Sequence, residues 1–227
     1  MSHRFQLVVF DYDGTLVDSQ HMIVRAMHEA FTAERLAAPT VEAVRRVVGL
    51  SLDLAVAKLL PDPHDRAAGA RVAEGYRQAF LALRTAPDYH EPLFPGAREV
   101  LGELDRAGVR LGIATGKARR GLLASLEQNG LSPHFVTLQT ADVAAGKPHP
   151  EMLERAMDEA GAGPGETVMI GDTSFDMFMA GSAGVTGIGV AWGYHDPEEL
   201  RQSGAAAILE SFAELPPTLI ALGADAP

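Results

Sequence analysis

Leu7-Val8-Val9-Phe10-Asp11-Tyr12-Asp13-Gly14-Thr15 runs from four apolar residues straight into two carboxylates. The apolar half is short, with a β-branched pair at its centre, and predicts a strand buried on both faces. The acidic half is a glycine-containing turn. Asp and Gly are ordinary turn residues, so a D-x-D-G segment alone fits a bland loop. Yet carboxylates packed this closely at the end of a buried strand repel each other. They need a metal ion, a proton or a cationic neighbour to coexist. The remainder of the chain supplies such partners.

Three further polar breaks follow other apolar runs. Leu111-Gly112-Ile113-Ala114 leads into Thr115-Gly116-Lys117, and Val168-Met169-Ile170 leads into Gly171-Asp172-Thr173-Ser174-Phe175-Asp176. Between them Gly146-Lys147-Pro148-His149-Pro150 opens an amphipathic stretch from Glu151 to Ala160. In an open α/β sheet the carboxyl ends of parallel strands border one crevice. The breaks after the three apolar runs then converge, and Lys147 reaches in from a helix start. The residue types brought together suit magnesium and phosphate.

Alternation of strand and helix begins near residue 95. Helices are predicted at 96–107, 119–129, 151–160, 176–183 and 197–202, and strands at 110–115, 135–139, 167–171, 187–192 and 206–209. That pattern is a doubly wound parallel α/β sheet of the Rossmann-like kind. Residues 17–85 contain no strand pattern. Apolar residues at helical spacing predict helices over 17–32, 41–48, 52–60 and 64–83, with Thr40 as a cap. The expected organisation is an α/β core from residues 1–15 and 90–227, interrupted by a helical cap at 16–89. An insertion that leaves and returns beside the acidic turn is placed to exclude water from it. Residues 221–227 are expected to fray.

Composition narrows the function classes. A chain of 227 residues buries roughly 70–75% of its unfolded surface. Its hydrophobic fraction of 47% and charged fraction of 22% are those of an ordinary globular protein. A net charge of −11 argues against nucleic-acid or anionic-membrane partners, which want basic surface. It leaves room for a small phosphorylated metabolite, because a bound cation inverts the local potential. With no cysteine there is no thiol nucleophile, disulfide or thiolate-held metal. The amino terminus has no signal-peptide pattern and no apolar run reaches the length of a membrane span, so a cytoplasmic location is expected. Oligomeric state is not encoded legibly.

The four breaks, taken in order, make the chain resemble the haloacid dehalogenase-like hydrolase superfamily over nearly its whole length. The carrying residues are Asp11-Tyr12-Asp13-Gly14-Thr15, Thr115, Lys147, and Gly171-Asp172-Thr173-Ser174-Phe175-Asp176. Gly146-Lys147-Pro148-His149-Pro150 and Val190-Ala191-Trp192-Gly193-Tyr194 are similar to the phosphoglycolate phosphatase-like branch, and the helical insertion to the family's small α-helical cap. Chemistry and resemblance agree on the roles. Asp11 is the expected nucleophile, splitting one displacement at phosphorus into two through an acyl phosphate. Asp13 can protonate the leaving oxygen and then deprotonate water. The resemblance implies that this second Asp separates phosphatases from dehalogenases, and that its backbone carbonyl also binds the metal. Mg²⁺ is expected on Asp11, Asp13, Asp172 and Asp176. Asp176 is either a direct ligand or a partner of Lys147. Thr115 and Gly116 offer a hydroxyl and an N–H to a phosphoryl oxygen, although Thr115 also fits a helix N-cap. Lys147 supplies a point charge. Gly14, Lys117 and Gly49 complete the expected substrate contacts, and Gly49-Leu50-Ser51 with Arg45 and Arg46 nearby is where specificity is expected.

The expected function is hydrolysis of a small, phosphoglycolate-like phosphomonoester with Mg²⁺. A phosphomutase of the β-phosphoglucomutase type and an inorganic pyrophosphatase are alternatives within the same chemistry, and a non-catalytic phosphate-binding regulator lies outside it. The eight histidines lack metal-ligand spacing, and the methionines fit packing positions.

Overall fold

A computed structural model describes residues 4–85, 89 and 91–224. Six strands form one parallel sheet: β1 (Leu7–Phe10), β2 (Arg110–Thr115), β3 (Phe135–Thr140), β4 (Thr167–Gly171), β5 (Thr186–Val190) and β6 (Ala207–Leu209). Their order is β3-β2-β1-β4-β5-β6. The winding reverses between β1 and β4, and a crevice opens there at the carboxyl ends of an open sheet. Phe10 lies opposite Ile113 of β2 on one side and Ile170 of β4 on the other. This register brings the turns after β1, β2 and β4 out at one level.

The period of two along β1 divides the core. Val8 and Phe10 pack in one apolar cluster with α5 (Ala97–Arg106), α6 (Arg119–Gln128) and α10 (Leu215–Ala224). Leu7 and Val9 pack in another with α7 (Glu151–Ala160) and α8 (Ser174–Ser182). A short α9 (Pro197–Gln202) lies between β5 and β6 in the chain. With every β1 residue wholly buried, the strand has no solvated face, as its unbroken apolar run requires.

Between β1 and α5 the chain forms α1 (Gln20–Ala33), α2 (Val41–Arg45), α3 (Leu52–Leu59) and α4 (Arg66–Leu83). Ile23, Met27, Phe31, Val44, Val56 and Val72 make a separate apolar cluster there. The two ends of this segment are stitched to each other. Asp18 N–H donates to the Pro92 carbonyl at 2.8 Å, Phe94 N–H donates to that of Leu16 at 3.0 Å, and Val17 bridges Leu93. The expected junction at residues 89 and 90 falls partly outside the described residues.

Several boundaries differ from the sequence expectation for identifiable reasons. The first helix starts at Gln20 rather than Val17, because residues 16–18 are drawn into the pairing with 92–94. The second ends at Arg45, after which tighter turns carry the chain to Gly49 at φ +98°. The helix after β4 begins at Ser174, two residues earlier than expected, so Asp176 is its third residue rather than its first. Leu215–Ala224 is a helix that the sequence reading omitted. Pro216 and Pro217 occupy its first turn, where no N–H is needed. Residues 221–224 are therefore helical, and 225–227 lie outside the described residues.

Candidate active site

Asp11 leaves β1 with its backbone N–H still bonded to the Ile170 carbonyl, 2.8 Å away. Its carboxylate Oδ1 accepts the Tyr12 N–H at 2.6 Å and lies 2.8 Å from Lys147 Nζ. The same ammonium is 2.6 Å from Asp176 Oδ1. Asp11, Asp172 and Asp176 each present a carboxylate oxygen within 4.8 Å of the others, and all three are buried. One fully buried cation thus faces three buried anions.

Secondary structure fixes each of them. Asp172 directly follows β4. Its Oδ1 accepts the Thr15 hydroxyl at 2.8 Å and its Oδ2 the Tyr194 N–H at 3.0 Å. Asp176 closes a capping box at the start of α8, where Oδ2 takes the Thr173 N–H at 3.0 Å and the Thr173 hydroxyl at 2.7 Å. Its other oxygen is left for Lys147. Gly14, at φ +93°, lies so close beneath Asp172 that a Cβ there would come within 2.4 Å of Oδ2. Its role in this structure is close approach to Asp172 and Tyr194, and it does not border the cavity described below.

Burial pushes the Asp11 carboxyl well above the ordinary carboxylate range; Lys147 pulls it back, and Asp176 and Asp172 push it further. Asp172 is raised to about 7, by burial first and then by the charge of Asp176. Burial disfavours the Lys147 ammonium, but Asp11 and Asp176 outweigh that and hold it above its usual value. Asp11 Oδ2 is buried without a hydrogen-bond partner among the described residues. Excess buried negative charge, an unpartnered carboxylate oxygen and all-oxygen donors suit a hard divalent cation. Asp13 stands outside this carboxylate cluster.

Asp13 instead turns to Lys117, whose Nζ is 2.8 Å from Asp13 Oδ1 and 3.2 Å from Glu91 Oε1. Burial would lower the Lys117 pKa, and the two carboxylates reverse that and raise it. Glu91 is itself buried and accepts from Tyr89 at 2.5 Å and from Ser125 at 3.1 Å; Ser125 in turn accepts from Tyr12 at 2.9 Å. Lys117, expected to meet substrate, therefore holds Asp13 in place. Glu91 was missed: a single Glu ahead of Pro92-Leu93-Phe94-Pro95 carries no periodic signal, and its partner is 26 residues away. Glu91→Gln is expected to destabilise the protein by about 1–3 kcal/mol, since Lys117 would keep only one anion. A thermal melt within 1 °C of wild type would show that Glu91 does not restrain Lys117.

Thr115 accepts the Lys117 N–H at 3.1 Å, so it caps the turn after β2 and not α6, which starts at Arg119 behind Ala118. A Cβ on Gly116 would come within 2.4 Å of the Leu50 carbonyl oxygen and 2.8 Å of that of Gly49. The 49–51 loop therefore lies directly on the turn after β2. Arg45 and Arg46, expected near substrate, point elsewhere. Arg45 donates to the Gly193 carbonyl at 3.3 Å and covers the Tyr194 ring, while Arg46 pairs with Glu199 at 2.5 Å. Of the histidines near the crevice, His195 packs behind Ser174 against Glu199, and His149 accepts the Glu151 N–H.

A cavity of about 640 Å³ spans the site and the helical segment above it. Asp11, Asp13, Thr115, Gly116, Lys117 and Gly49 border it. No helix among the described residues is long and apolar enough to cross a membrane.

Residues 8–190 match the family model of the haloacid dehalogenase-like hydrolases, and the chain belongs to that family. Within it the chain falls in the phosphoglycolate phosphatase-like branch, and it is an enzyme of the hydrolase class. A Dickeya dadantii protein described as "Probable phosphatase IndB" is 37% identical, over 92% of this chain and 91% of its own. The phosphoglycolate phosphatase of Rhodospirillum rubrum is 34% identical, over 92% of this chain and 88% of its own. Among solved structures, a hydrolase from Pseudomonas syringae superposes with a TM-score of 0.84 at 29% identity, covering 95% of this chain and 98% of that one.

Proposed function

We propose that the protein is a Mg²⁺-dependent phosphatase that hydrolyses a small phosphomonoester through an aspartyl-phosphate on Asp11. The observation that carries the reading is the Asp11 carboxylate itself. One oxygen is fixed by Lys147 and the Tyr12 N–H, and the other is buried at the cavity wall without a hydrogen-bond partner among the described residues.

The unpartnered oxygen attacks phosphorus as the bond from phosphorus to the ester oxygen breaks. Asp13, oriented by Lys117, gives a proton to the departing alkoxide. In the second half a water attacks the phosphorus of the acyl phosphate, Asp13 takes its proton, and the Asp11 carboxylate leaves with the electron pair of its bond to phosphorus. Thr115 and the Gly116 N–H bind phosphoryl oxygens, and Lys147 favours the ionised form of Asp11. Asp11, Asp172, Asp176 and the main-chain carbonyl of Asp13 would hold Mg²⁺, which supplies positive charge against the phosphoryl oxygens. The segment 16–89 acts as a cap that excludes water while the acyl phosphate exists. Its two paired connections at 16–18 and 92–94 make a compact hinge.

Phosphate release from a panel of phosphomonoesters, phosphoglycolate and pyrophosphate included, tests the reading. Release is expected with Mg²⁺ and is expected to fall to background with chelator. Folded protein that releases no phosphate from any ester would sink the proposal, and an isomerised sugar phosphate without phosphate release would replace it with a mutase.

A further inference from the structure

We infer that the cavity selects a phosphomonoester whose alcohol is uncharged, apolar and at least as bulky as an aromatic ring, and that it disfavours a short carboxylated alcohol such as glycolate. The inference rests on the phosphatase reading above and concerns the alcohol that leaves, not the chemistry at phosphorus.

Size is the first ground. About 640 Å³ lies in the range that accepts ligands of some twenty heavy atoms, whereas phosphoglycolate has fewer than half as many. Lining is the second. The cavity lining includes Met27, Val44, Val48, Leu50, Tyr76 and Phe80, a surface that rewards apolar contact. Charge is the third. The lining holds four basic residues against five acidic ones, and most of the basic side chains are engaged. Lys117 lies between Asp13 and Glu91, and Arg77 between Asp53 at 3.2 Å and Glu74 at 3.6 Å. Arg84 donates to the Gly121 carbonyl and rests on the Phe80 ring. Arg45 and Arg46 are turned to Gly193 and Glu199. Arg120, exposed on α6, is the one lining cation with neither an ion pair nor a hydrogen bond among the described residues. A substrate carboxylate would thus meet a largely apolar wall whose buried cation, Lys117, is already held between two carboxylates.

The experiment compares kcat/KM, with Mg²⁺, for ethyl phosphate, 2-phenylethyl phosphate and phosphoglycolate. All three are alkyl esters, so the differences report the pocket rather than an activated leaving group. The phenyl ring is expected to raise kcat/KM at least tenfold over ethyl phosphate, in keeping with the burial of one aromatic side. Phosphoglycolate is expected to fall below ethyl phosphate. Val48→Glu, at a half-buried lining position, is expected to shrink the phenylethyl-to-ethyl ratio. Phosphoglycolate turned over as well as 2-phenylethyl phosphate or better would overturn the inference while leaving the phosphatase intact, and a raised KM for it in Arg120→Ala would name the missing cation. Absence of magnesium-dependent turnover of every ester would remove the phosphatase reading, and this inference with it.

Discussion

Asp11→Asn is expected to lower phosphate release by about 10⁴-fold or more, as loss of a covalent nucleophile does elsewhere. In the same variant the metal-free protein is expected to gain stability, because the neutral amide replaces a carboxylate that the site holds at a cost. Asp11 is buried beside Asp172 and Asp176, with one ammonium among the three. The gain should be about 1–2 kcal/mol at pH 8, or a few degrees in Tm. Its pH dependence has a definite sign. Asp11 is raised by burial, and Asp172 is raised to about 7, so the folded state keeps protons that the unfolded chain releases near pH 4. Metal-free wild type is then most stable at the acid end and loses stability as pH rises from about 4 through about 7, where Asp172 gives up its proton, and onward until Asp11 does. The decline should be shallower in Asp11→Asn. Stabilisation by added Mg²⁺ should grow with pH over the same window, since the cation competes with those protons. Thermal melts at pH 5 and 8, with Mg²⁺ or chelator, read all of this. A flat wild-type profile without metal, or a less stable Asp11→Asn at pH 8, would mean that the cluster stores no such repulsion.

The parts of this architecture that were legible in the sequence share one property: each is announced by a run of neighbouring residues. Leu7–Phe10 ending on Asp11 is a strand and a carboxylate of the site in one segment, and Val168–Ile170 before Asp172 repeats the device. Two such runs, placed on adjacent strands β1 and β4, already locate the crevice. What escaped reading depends on partners distant in sequence. Glu91 acquires meaning only through Lys117, and Lys117 only through Asp13. Arg45 and Arg46, one turn from the loop that overlies the site, looked like substrate ligands until Gly193 and Glu199 came into reach. The early start expected for α1 failed likewise, since nothing local to Val17 foretells a bridge to Leu93. α10 was left out altogether, although its paired prolines are compatible with a helix's first turn.

Lys147→Met tests the other half of the electrostatic arrangement and should produce the largest stability effect in the protein. Lys147 is wholly buried, and its ammonium is the partner of both Asp11 and Asp176. Methionine has nearly the same length and volume, so packing is kept and charge alone is lost. Removing one member of a buried ionic cluster leaves the others uncompensated, which costs about 3–5 kcal/mol. In a chain of this size that corresponds to a fall in Tm of roughly 6–20 °C without metal. Here the direction opposes that of Asp11→Asn: taking away an anion relieves the cluster, while taking away the cation aggravates it. The double variant Asp11→Asn with Lys147→Met should recover part of the loss, because only two anions then remain. If it melts no higher than Lys147→Met alone, the two residues are not coupled through charge, and the ion pair at 2.8 Å does not offset the burial of Asp11.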